Sequence, residues 1–248
     1  MKQALIFCFL LLSAALRAQH DAHHDSTMKN TVRINITPML VTGRLASFTA
    51  GYERVITPHQ SISANIGHLE LPPVITTAAG NPVQWVSSLR NTGFIVSADY
   101  RFYFKRNRYA IPDGLYWGPY AAYYYFDKKA RAELYLNGQL QATADIQTYF
   151  SMATLGLELG YQFVLGKRWT LDLILIGPGV GFYDLNFIID ADANLQGNPE
   201  YYQGIYDALI SIFPAIGQLF ERQEFDTKGA KSFNGLGYRM VIQVGFRF

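Results

Sequence analysis

The alternation of the final thirteen residues constrains the fold of this chain more than any other feature. From Leu236 to Phe248 the even positions are apolar or aromatic, and the odd positions are small or polar. A period of two residues indicates a β-strand whose two faces meet different surroundings. Such a strand, ending on an aromatic residue, is typical of a transmembrane β-barrel. There one face meets lipid, the other meets a polar interior, and aromatic rings lie at the interface.

The N-terminal residues predict that the chain is exported. A basic start is followed by an apolar run from Ala4 to Leu12 and by a small-residue stretch that ends at Ala18. This pattern predicts a secretory signal peptide over residues 1–18, because the apolar run is shorter than the roughly 20 residues that a membrane-spanning helix requires. Cys8 would leave with the peptide, so the mature chain is predicted to have no disulfide and no thiol chemistry.

The composition restricts the remaining possibilities. Hydrophobic residues make up 50% of the chain and aromatic residues 15%, yet the mean hydropathy is only +0.04. After the signal peptide no uninterrupted apolar run is long enough for a transmembrane helix, which excludes helical spans. The formal net charge is +2 and no basic stripe is present, so no nucleic-acid partner is predicted.

Eight segments alternate as β-strands do, and the connections between them alternate in length. The predicted strands are Val32–Val41, Ser47–Ile56, Gln60–His68, Thr92–Phe104, Leu115–Phe126, a sixth that ends at Phe163, Trp169–Gly177 and Leu236–Phe248. The connections assigned to the periplasmic side are short, at 57–60, 105–113 and 166–168. The connections assigned to the extracellular side are at 42–46, 69–91, 127–147 and 180–233, and all but the first are long.

These patterns predict an all-β fold, an eight-stranded antiparallel up-and-down transmembrane β-barrel with long extracellular loops. Residues 19–31 are predicted to be a flexible periplasmic tail and residues 32–248 the barrel, with both termini on the periplasmic side. Ten strands remain an alternative if the hairpin between the fifth and sixth strands is counted separately.

Aromatic residues cluster at the predicted periplasmic ends of the strands. Because amphipathic rings favour the headgroup depth, this clustering predicts an interfacial girdle. Its members are Tyr103, Phe104, Tyr116, Trp117, Tyr161, Phe163, Trp169, Phe246 and Phe248. A soluble, lipocalin-like binding barrel is the alternative, but its outer face should carry many Lys and Glu residues, and those positions are instead apolar.

The inward positions of the predicted strands carry a balanced set of charges. Four arginines and four acids make up this set: Arg33, Arg101, Arg239, Arg247, Glu53, Asp99, Glu158 and Asp172. Because charges withdrawn from water need partners, we predict an internal ion-pair network that holds the barrel closed. A selectivity ring or a proton path is the alternative interpretation, although an eight-stranded barrel is only wide enough for its side chains to fill.

The predicted extracellular connections contain two further patterns. Alternation continues on both sides of Asn137-Gly138, a strong hairpin signal, which predicts that the fifth and sixth strands protrude beyond the membrane. In the last connection, apolar residues from Ile205 to Leu219 recur at helical spacing, with Pro214 expected to kink the helix. This short kinked amphipathic helix is predicted to pack as a lid on the barrel mouth or on the protruding hairpin, and contact with a partner or with lipid is the alternative.

Catalytic patterns are sparse, and no catalytic residue, cofactor or metal is predicted. The segment from His20 to Asp25 could ligate a divalent metal, but nothing in a polar tail fixes its geometry, so a linker is favoured. His68 with Glu70 could act as a base in a lipid-modifying hydrolase. That reaction needs a serine within hydrogen-bond reach, and no motif chooses among Ser87, Ser88 and Ser151.

Several short motifs resemble one group of proteins. They are the Ala-Gln junction at Ala18, Gly51-Tyr-Glu-Arg54, Tyr100-Arg-Phe-Tyr-Phe104, Gly114-Leu-Tyr-Trp-Gly-Pro-Tyr120, Ile176-Gly-Pro-Gly-Val-Gly181 and the terminal Phe248. Together they resemble the small outer-membrane β-barrel proteins of the Bacteroidota, many of them domains of unknown function and distantly OmpA-like in barrel size. The resemblance covers nearly the whole mature chain but carries over no catalytic residue.

The resemblance implies a location and a set of partners. The location is the cell outer membrane, and the partners are outer-membrane lipid and, during insertion, the barrel-assembly machinery, which would read Phe246 and Phe248 as an insertion signal. The expected function is a non-enzymatic barrel with a side-chain-filled lumen whose extracellular loops serve surface interaction or envelope integrity. Any extracellular partner remains unknown. The alternatives are the hydrolase with a base near His68 and the soluble binding barrel.

Overall fold

A computed structural model describes residues 28–42, 47–70, 83–104, 112–136, 139–191 and 228–248. The predicted signal peptide, nearly all of the predicted tail with its His20–Asp25 segment, and the predicted kinked helix lie outside these residues. Within the described ranges, no helix has the length and apolarity needed to cross a membrane.

The described chain forms one closed antiparallel barrel in which each strand pairs with its neighbours in sequence and the last pairs with the first. The strands are β1 (Asn30–Asn35), β2 (Phe48–Thr57), β3 (Gln60–Leu69), β4 (Val83–Tyr103), β5 (Gly114–Leu136), β6 (Gln139–Leu165), β7 (Trp169–Ala191) and β8 (Lys228–Arg247). One short helix, α1 (Thr37–Thr42), follows β1. The predicted all-β fold and its eight antiparallel strands are confirmed.

The barrel closes between β1 and β8. Asn30 and Phe248 exchange backbone hydrogen bonds of 3.2 and 2.9 Å, and the pairing continues to Asn35 and Gln243. Because Asn30 is the first residue in this ladder, β1 starts two residues before the predicted barrel boundary at residue 32. We call the end of the barrel at which Asn30 pairs with Phe248 the terminal end, and the opposite end the hairpin end.

The predicted first strand, Val32–Val41, is wrong beyond Asn35. The Oδ1 atom of Asn35 accepts a hydrogen bond from the backbone N–H of Thr37 at 2.9 Å, and α1 begins there. In the β1–β8 register, Pro38 would come opposite Met240 at a position where the ladder needs a backbone N–H. Proline has none, but its fixed φ suits the first turn of a helix, so the strand ends and the helix begins.

The strands β4 to β8 are much longer than β1 to β3. β2 and β3 have 10 residues each, whereas the five later strands have 20 to 27. Beyond Leu69, where β3 ends, they continue at the hairpin end as a surface that we call the raised sheet. It consists of residues 83–92, 127–136, 139–149, 186–191 and 228–230. The predicted hairpin is present, since Leu136 pairs with Gln139 next to its tip; its extension beyond a membrane stays a prediction.

Two predicted connections are therefore too long. β4 begins at Val83 rather than Thr92, and β7 continues to Ala191 instead of stopping at Gly177. The Gly177-Pro178-Gly179 run lies inside β7, where the register with β8 shifts between Ile174 and Gly177. A β-bulge tolerates proline within a strand, so this run bends β7 without ending it.

Candidate functional site

The barrel interior carries the charged side chains that the alternation predicts. Buried arginines and acids come from β1, β2, β4, β6, β7 and β8: Arg33, Glu53, Asp99, Arg101, Glu158, Asp172, Arg239 and Arg247. Small residues on neighbouring strands make room for them. In the paired strands, Arg33 lies between Gly51 and Gly245, and a side chain at Gly245 would come within 2.9 Å of the Arg33 side chain.

Arg101 is the centre of this network. Its guanidinium lies 2.6 Å from Asp99 Oδ2, 2.9 Å from Asp172 Oδ2 and 3.5 Å from Glu53 Oε1, and its side chain has no exposed surface. It also lies over the ring of Tyr116, 4.4 Å from the centroid. One cation therefore joins acids from three strands, β4, β7 and β2.

Two further arginines extend the network along the barrel. Arg33 Nη1 lies 2.9 Å from Asp172 Oδ2 and 3.7 Å from Glu53 Oε2. Arg239 lies 3.5 Å from Asp99 and 3.1 Å from Glu158.

Seven of the eight predicted residues thus form one connected set, which we call the lumen network: Arg33, Arg101, Arg239, Glu53, Asp99, Glu158 and Asp172.

Arg247 lies apart from these ion pairs. Its side chain is buried at the terminal end of the barrel, where Nη2 donates a hydrogen bond to the backbone carbonyl of Met28 at 3.1 Å. The two residues of the predicted insertion signal are at the same end. Phe246 packs edge-on against Trp169, with ring centroids 5.4 Å apart, and Phe248 is exposed.

Buried uncharged side chains also bind the acids of the lumen network. The Ser61 hydroxyl donates to Glu53 Oε1 at 2.6 Å, and the Ser63 hydroxyl donates to Asp99 Oδ1 at 3.2 Å.

The Tyr103 hydroxyl lies 3.0 Å from Glu53 Oε1 and 2.8 Å from Gln162 Oε1, and the Gln162 amide donates to Glu53 Oε2 at 3.0 Å. Tyr116 donates to Asp172 Oδ1 at 2.7 Å. These bonds satisfy carboxylate oxygens that the arginines leave available.

The prediction that Tyr103 and Tyr116 belong to an interfacial girdle is wrong. Both side chains are buried in the lumen, 7% and 0% exposed. Tyr103 lies on the odd-numbered face of β4 with Asp99 and Arg101, so the alternation of the strand alone could have predicted that its side chain points inward. Tyr116 lies on β5, whose aromatic residues occupy both faces, and only its pairing opposite Tyr103 fixes its direction.

Glycines on β6 admit the inward tyrosines of β5. A Cβ atom at Gly160 would lie 2.4 Å from the Tyr116 ring, and one at Gly156 would lie 2.7 Å from the ring of Tyr120. The Tyr120 hydroxyl donates to the carbonyl of Gly177 at 2.8 Å, at the bulge in β7. The large tyrosines of β5 therefore fit inside the barrel because the positions next to them on β6 are glycines, which have no side chain.

The structure does not place His68 in a catalytic arrangement. His68 is on the even-numbered, outward face of β3, with Nε2 3.6 Å from Glu70 Oε1, and both side chains are substantially exposed. Of the serines considered with it, Ser87 and Ser88 have side chains outside the described set. Within the residues that the structure describes, no group of three or more metal-ligating side chains comes together.

The lumen network spans the barrel interior from β1 to β8. Its groups are buried, and each of its three arginines lies within 4 Å of at least two of its four acids. The large apolar residues of the strands lie mainly on the other face of the barrel wall.

The sequence profile of a family described as protein of unknown function (DUF3575) matches residues 5–213. The chain belongs to this family. The matched residues of this DUF3575 protein include seven of its eight strands, β1 to β7. Among solved structures, it is similar to the crystal structure of Acinetobacter baumannii CarO, with 13% sequence identity and a TM-score of 0.37, covering 90% of this chain and 99% of that chain. No curated protein matches it.

Proposed function

We propose that this protein is a non-enzymatic, non-conducting β-barrel of the bacterial outer membrane that presents its raised sheet at the cell surface. The observation that carries the proposal is the inverted polarity of the barrel. Its charges are buried inside, while large apolar side chains are exposed outside. The exposed set includes Val32, Ile34, Phe48, Ile62, Ile66, Phe94, Val96, Leu155, Leu157, Leu175, Ile176, Val180, Leu236 and Met240.

The free energy of burying these exposed side chains favours a membrane over water as the surroundings of the barrel. Full burial of one such side chain is worth about 1.5–3 kcal/mol. Because each is roughly half exposed, leaving the whole set in water would forgo on the order of 10 kcal/mol, which is comparable to the net stability of a typical domain. Lipid recovers that energy. A soluble, lipocalin-like barrel would have the opposite polarity, so it is not favoured.

The dimensions of the short strands fit a bilayer. β2 and β3 have 10 residues each. At about 3.3 Å per residue and a tilt of roughly 40°, such strands rise about 25 Å along the barrel axis, which is the height of the apolar band in outer-membrane barrels. Beyond that level the outward face of the raised sheet becomes charged, with Arg131 2.8 Å and Lys129 3.0 Å from Asp145.

This change of polarity defines the proposed orientation. The terminal end, where β1 begins and β8 ends, faces the periplasm, and the raised sheet faces the exterior. Outer-membrane lipid and, during insertion, the barrel-assembly machinery are the proposed partners. The raised sheet is the part of the protein available for surface interaction or for contacts that support the envelope.

The lumen network supports a closed barrel. An eight-stranded barrel has little room beyond its own side chains. At the level of the lumen network that space holds the seven charged side chains and their buried hydrogen-bonding partners Tyr103, Tyr116, Gln162, Ser61 and Ser63. Opening a path for ions would require breaking several buried ion pairs, each at a cost of several kcal/mol. A lipid-modifying hydrolase is not favoured, since His68 lies on the outward face with Glu70 as its polar contact.

Membrane location and orientation are tested together on intact cells. We expect the protein in the outer-membrane fraction and a folded form that migrates differently from the heated form on a detergent gel. An epitope inserted between Leu136 and Gln139 should be labelled on intact cells, whereas one placed before Asn30 should be labelled only after permeabilisation. Recovery in the soluble periplasm, or the reverse labelling, would overturn the proposal.

The closed lumen is tested separately in planar bilayers. The purified barrel is expected to give no steady ion current. A double variant that removes paired charges, Arg101→Ala with Asp172→Ala, is expected to give measurable leakage because it deletes two of the side chains that fill the lumen. Steady channels from the wild-type protein would contradict the non-conducting part of the proposal.

A further inference from the structure

The hairpin half of the barrel contains a cavity above the lumen network, lined by both polar and apolar side chains, which we call the outer cup. Its volume is about 320 Å³, within the range of small-ligand sites. A hydrogen-bonded row crosses its wall: Gln243 donates to Asn65 at 3.3 Å, and Asn65 donates to Ser97 at 3.2 Å. These three buried side chains come from β8, β3 and β4.

The outer cup retains unused hydrogen-bonding capacity. Thr49 Oγ1 and Gln243 Oε1 are buried and, in the part of the chain that the structure describes, have no hydrogen-bond partner. Both residues line the cup. Leaving a buried polar group unsatisfied is unfavourable. Both atoms are enclosed by protein, so a polar molecule in the cup would bind them once the Thr49 or Gln243 side chain rotates towards it.

The cup also reaches through the barrel wall. Residues from Tyr238 to Val241 line it consecutively, although alternate residues of a strand face opposite sides. Arg239 and Val241 are buried, whereas Tyr238 and Met240 are 60% and 56% exposed on the outward face. A cavity confined to the lumen would meet alternate residues, so contact with four in a row places the edge of β8 in the cavity.

The ending of β1 explains why that edge is accessible. Ile36 donates its N–H to the Ile242 carbonyl at 2.9 Å, and the Ile242 N–H bonds to Thr37 Oγ1 at 2.7 Å. In an antiparallel ladder the N–H and C=O groups of every second residue point to the same side. The backbone N–H and C=O groups of Met240 and Tyr238 therefore point towards the first strand's side of β8. At that level, among the described residues, α1 stands in the place of β1.

An open strand edge cannot face hydrocarbon. Each unsatisfied backbone group in lipid costs several kcal/mol, so irregular backbone occurs at membrane depth only where it is covered by protein or lines a polar cavity. Here the edge of β8 meets the outer cup, beside Pro38 and near the rim at which Ser47 and Glu70 lie. The opening therefore joins a cavity with a row of polar side chains on its wall to the outward side chains of Tyr238 and Met240.

We propose that the gap between α1 and β8 is a lateral portal through which the outer cup receives the polar head of an amphiphile from the outer leaflet. The apolar chain of that amphiphile stays outside, against Tyr238 and Met240. The head is uncharged or zwitterionic, because the cation that lines the cup, Arg239, is already paired with Asp99 at 3.5 Å and Glu158 at 3.1 Å. This inference rests on the proposed membrane location.

The test maps where lipid groups contact the folded full chain in phosphatidylcholine vesicles. One photoreactive phosphatidylcholine carries a diazirine on its headgroup, and a second carries it at the end of an acyl chain. The headgroup probe is expected to cross-link Asn65, Ser97 or Gln243 inside the barrel. The acyl probe is expected to cross-link outward residues such as Leu155 and Leu157, which lie on β6 away from the portal.

A matched pair of variants tests whether the cup is the binding site. Ser97→Trp places a ring in the cup and should remove the headgroup cross-links. Ala98→Trp adds the same ring to the outward face of the next residue and should keep them. Both variants are checked for the folded form on a detergent gel, and the wild-type cross-link positions decide the question even if Ser97→Trp does not fold.

The outcomes separate this inference from the membrane proposal. Outward cross-links from the acyl probe without cup cross-links from the headgroup probe would overturn the portal and leave the membrane barrel intact. No cross-links from the acyl probe would overturn both. Equal cross-linking of the cup by a chain-free, water-soluble glycerophosphocholine probe would show access from the aqueous side and so overturn lateral access.

Discussion

Substitution of Arg101 by methionine is expected to cause a large loss of stability. Arg101 lies within 3.5 Å of three carboxylates, those of Glu53, Asp99 and Asp172, and none of these side chains is exposed. Methionine keeps much of the volume and removes the charge. Removing one partner of a buried ion pair costs about 3–5 kcal/mol, because the other charge stays buried without compensation.

The neighbouring groups limit how far the site can adapt. Asp99 keeps Arg239 at 3.5 Å, and Asp172 keeps Arg33 at 2.9 Å. The contact with the Tyr116 ring, 4.4 Å from the guanidinium carbon, is lost as well. We therefore expect Arg101→Met to reduce the free energy of unfolding by about 3–5 kcal/mol, a large part of the 5–15 kcal/mol typical of folded domains.

The assay is equilibrium urea unfolding of the barrel in phosphatidylcholine vesicles, followed by tryptophan fluorescence and by the heat-dependent shift on a detergent gel. Arg131→Met is the matched control. Arg131 also lies 2.8 Å from a carboxylate, that of Asp145, but its side chain is 47% exposed. An exposed pair contributes about 0–1 kcal/mol. Equal losses for the two variants would refute the argument that burial, and not pairing alone, sets the magnitude.

Three other predictions follow from the structure. Gly160→Ala should lower the free energy of unfolding by about 1–3 kcal/mol in the same urea assay, since its Cβ would lie 2.4 Å from the Tyr116 ring and 2.8 Å from a backbone oxygen. Hydrogen exchange in the β5–β6 hairpin should be faster in Asp145→Asn than in the wild type at neutral pH. In acid the exchange rates of the two proteins should become equal. Phe248→Ala should reduce the amount of folded barrel in the outer membrane of cells, while its urea midpoint in vesicles changes little, because its backbone bonds to Asn30 remain.

The acid dependence of the hairpin follows from the pKa of Asp145. The hydrogen bond from Arg131, together with Lys129, lowers that pKa below its usual 3.8, against the opposing effect of desolvation. A folded-state pKa below the unfolded value gives stability that is present above the unfolded pKa and is lost as the pH falls through the folded one. The difference between the wild type and Asp145→Asn should thus shrink as the pH falls below 3.8 and disappear in acid strong enough to protonate Asp145 in the folded state. A difference that persisted there would show that the effect is not electrostatic.

Each of the other two predictions has its own control. Gly235→Ala serves for Gly160→Ala, since its Cβ would lie no closer than 3.3 Å to the end of the Tyr183 side chain, and a similar loss in both would contradict the overpacking argument. Phe246→Ala serves for Phe248→Ala: the side chain of Phe246 contacts Trp169, so this variant should also lower the urea midpoint. Normal assembly of Phe248→Ala in cells would contradict its proposed role as an insertion signal.

The sequence by itself determined the two faces of the barrel wall. A period of two places every second residue on one side, so the inward direction of Arg33, Asp99 and Arg101 followed from their spacing. The hairpin at Asn137-Gly138 was equally local, because a two-residue turn with that sequence fits only a narrow set of backbone conformations. The two wrong predictions, of the end of the first strand and of the direction of Tyr103, also had causes in the local sequence. The missing N–H of Pro38 and the odd-numbered position of Tyr103 were both visible in the sequence.

Only the tertiary structure decided which inward residues meet. Arg33 and Asp172 are 139 positions apart and lie 2.9 Å apart in space, because β1 pairs with β8 and β8 pairs with β7. Periodicity fixes the direction of a side chain but not the register between strands, and register determines which guanidinium reaches which carboxylate. The same holds for the edge of β8. Its exposure to the outer cup follows from where β1 stops relative to Met240, which closure of the barrel decides.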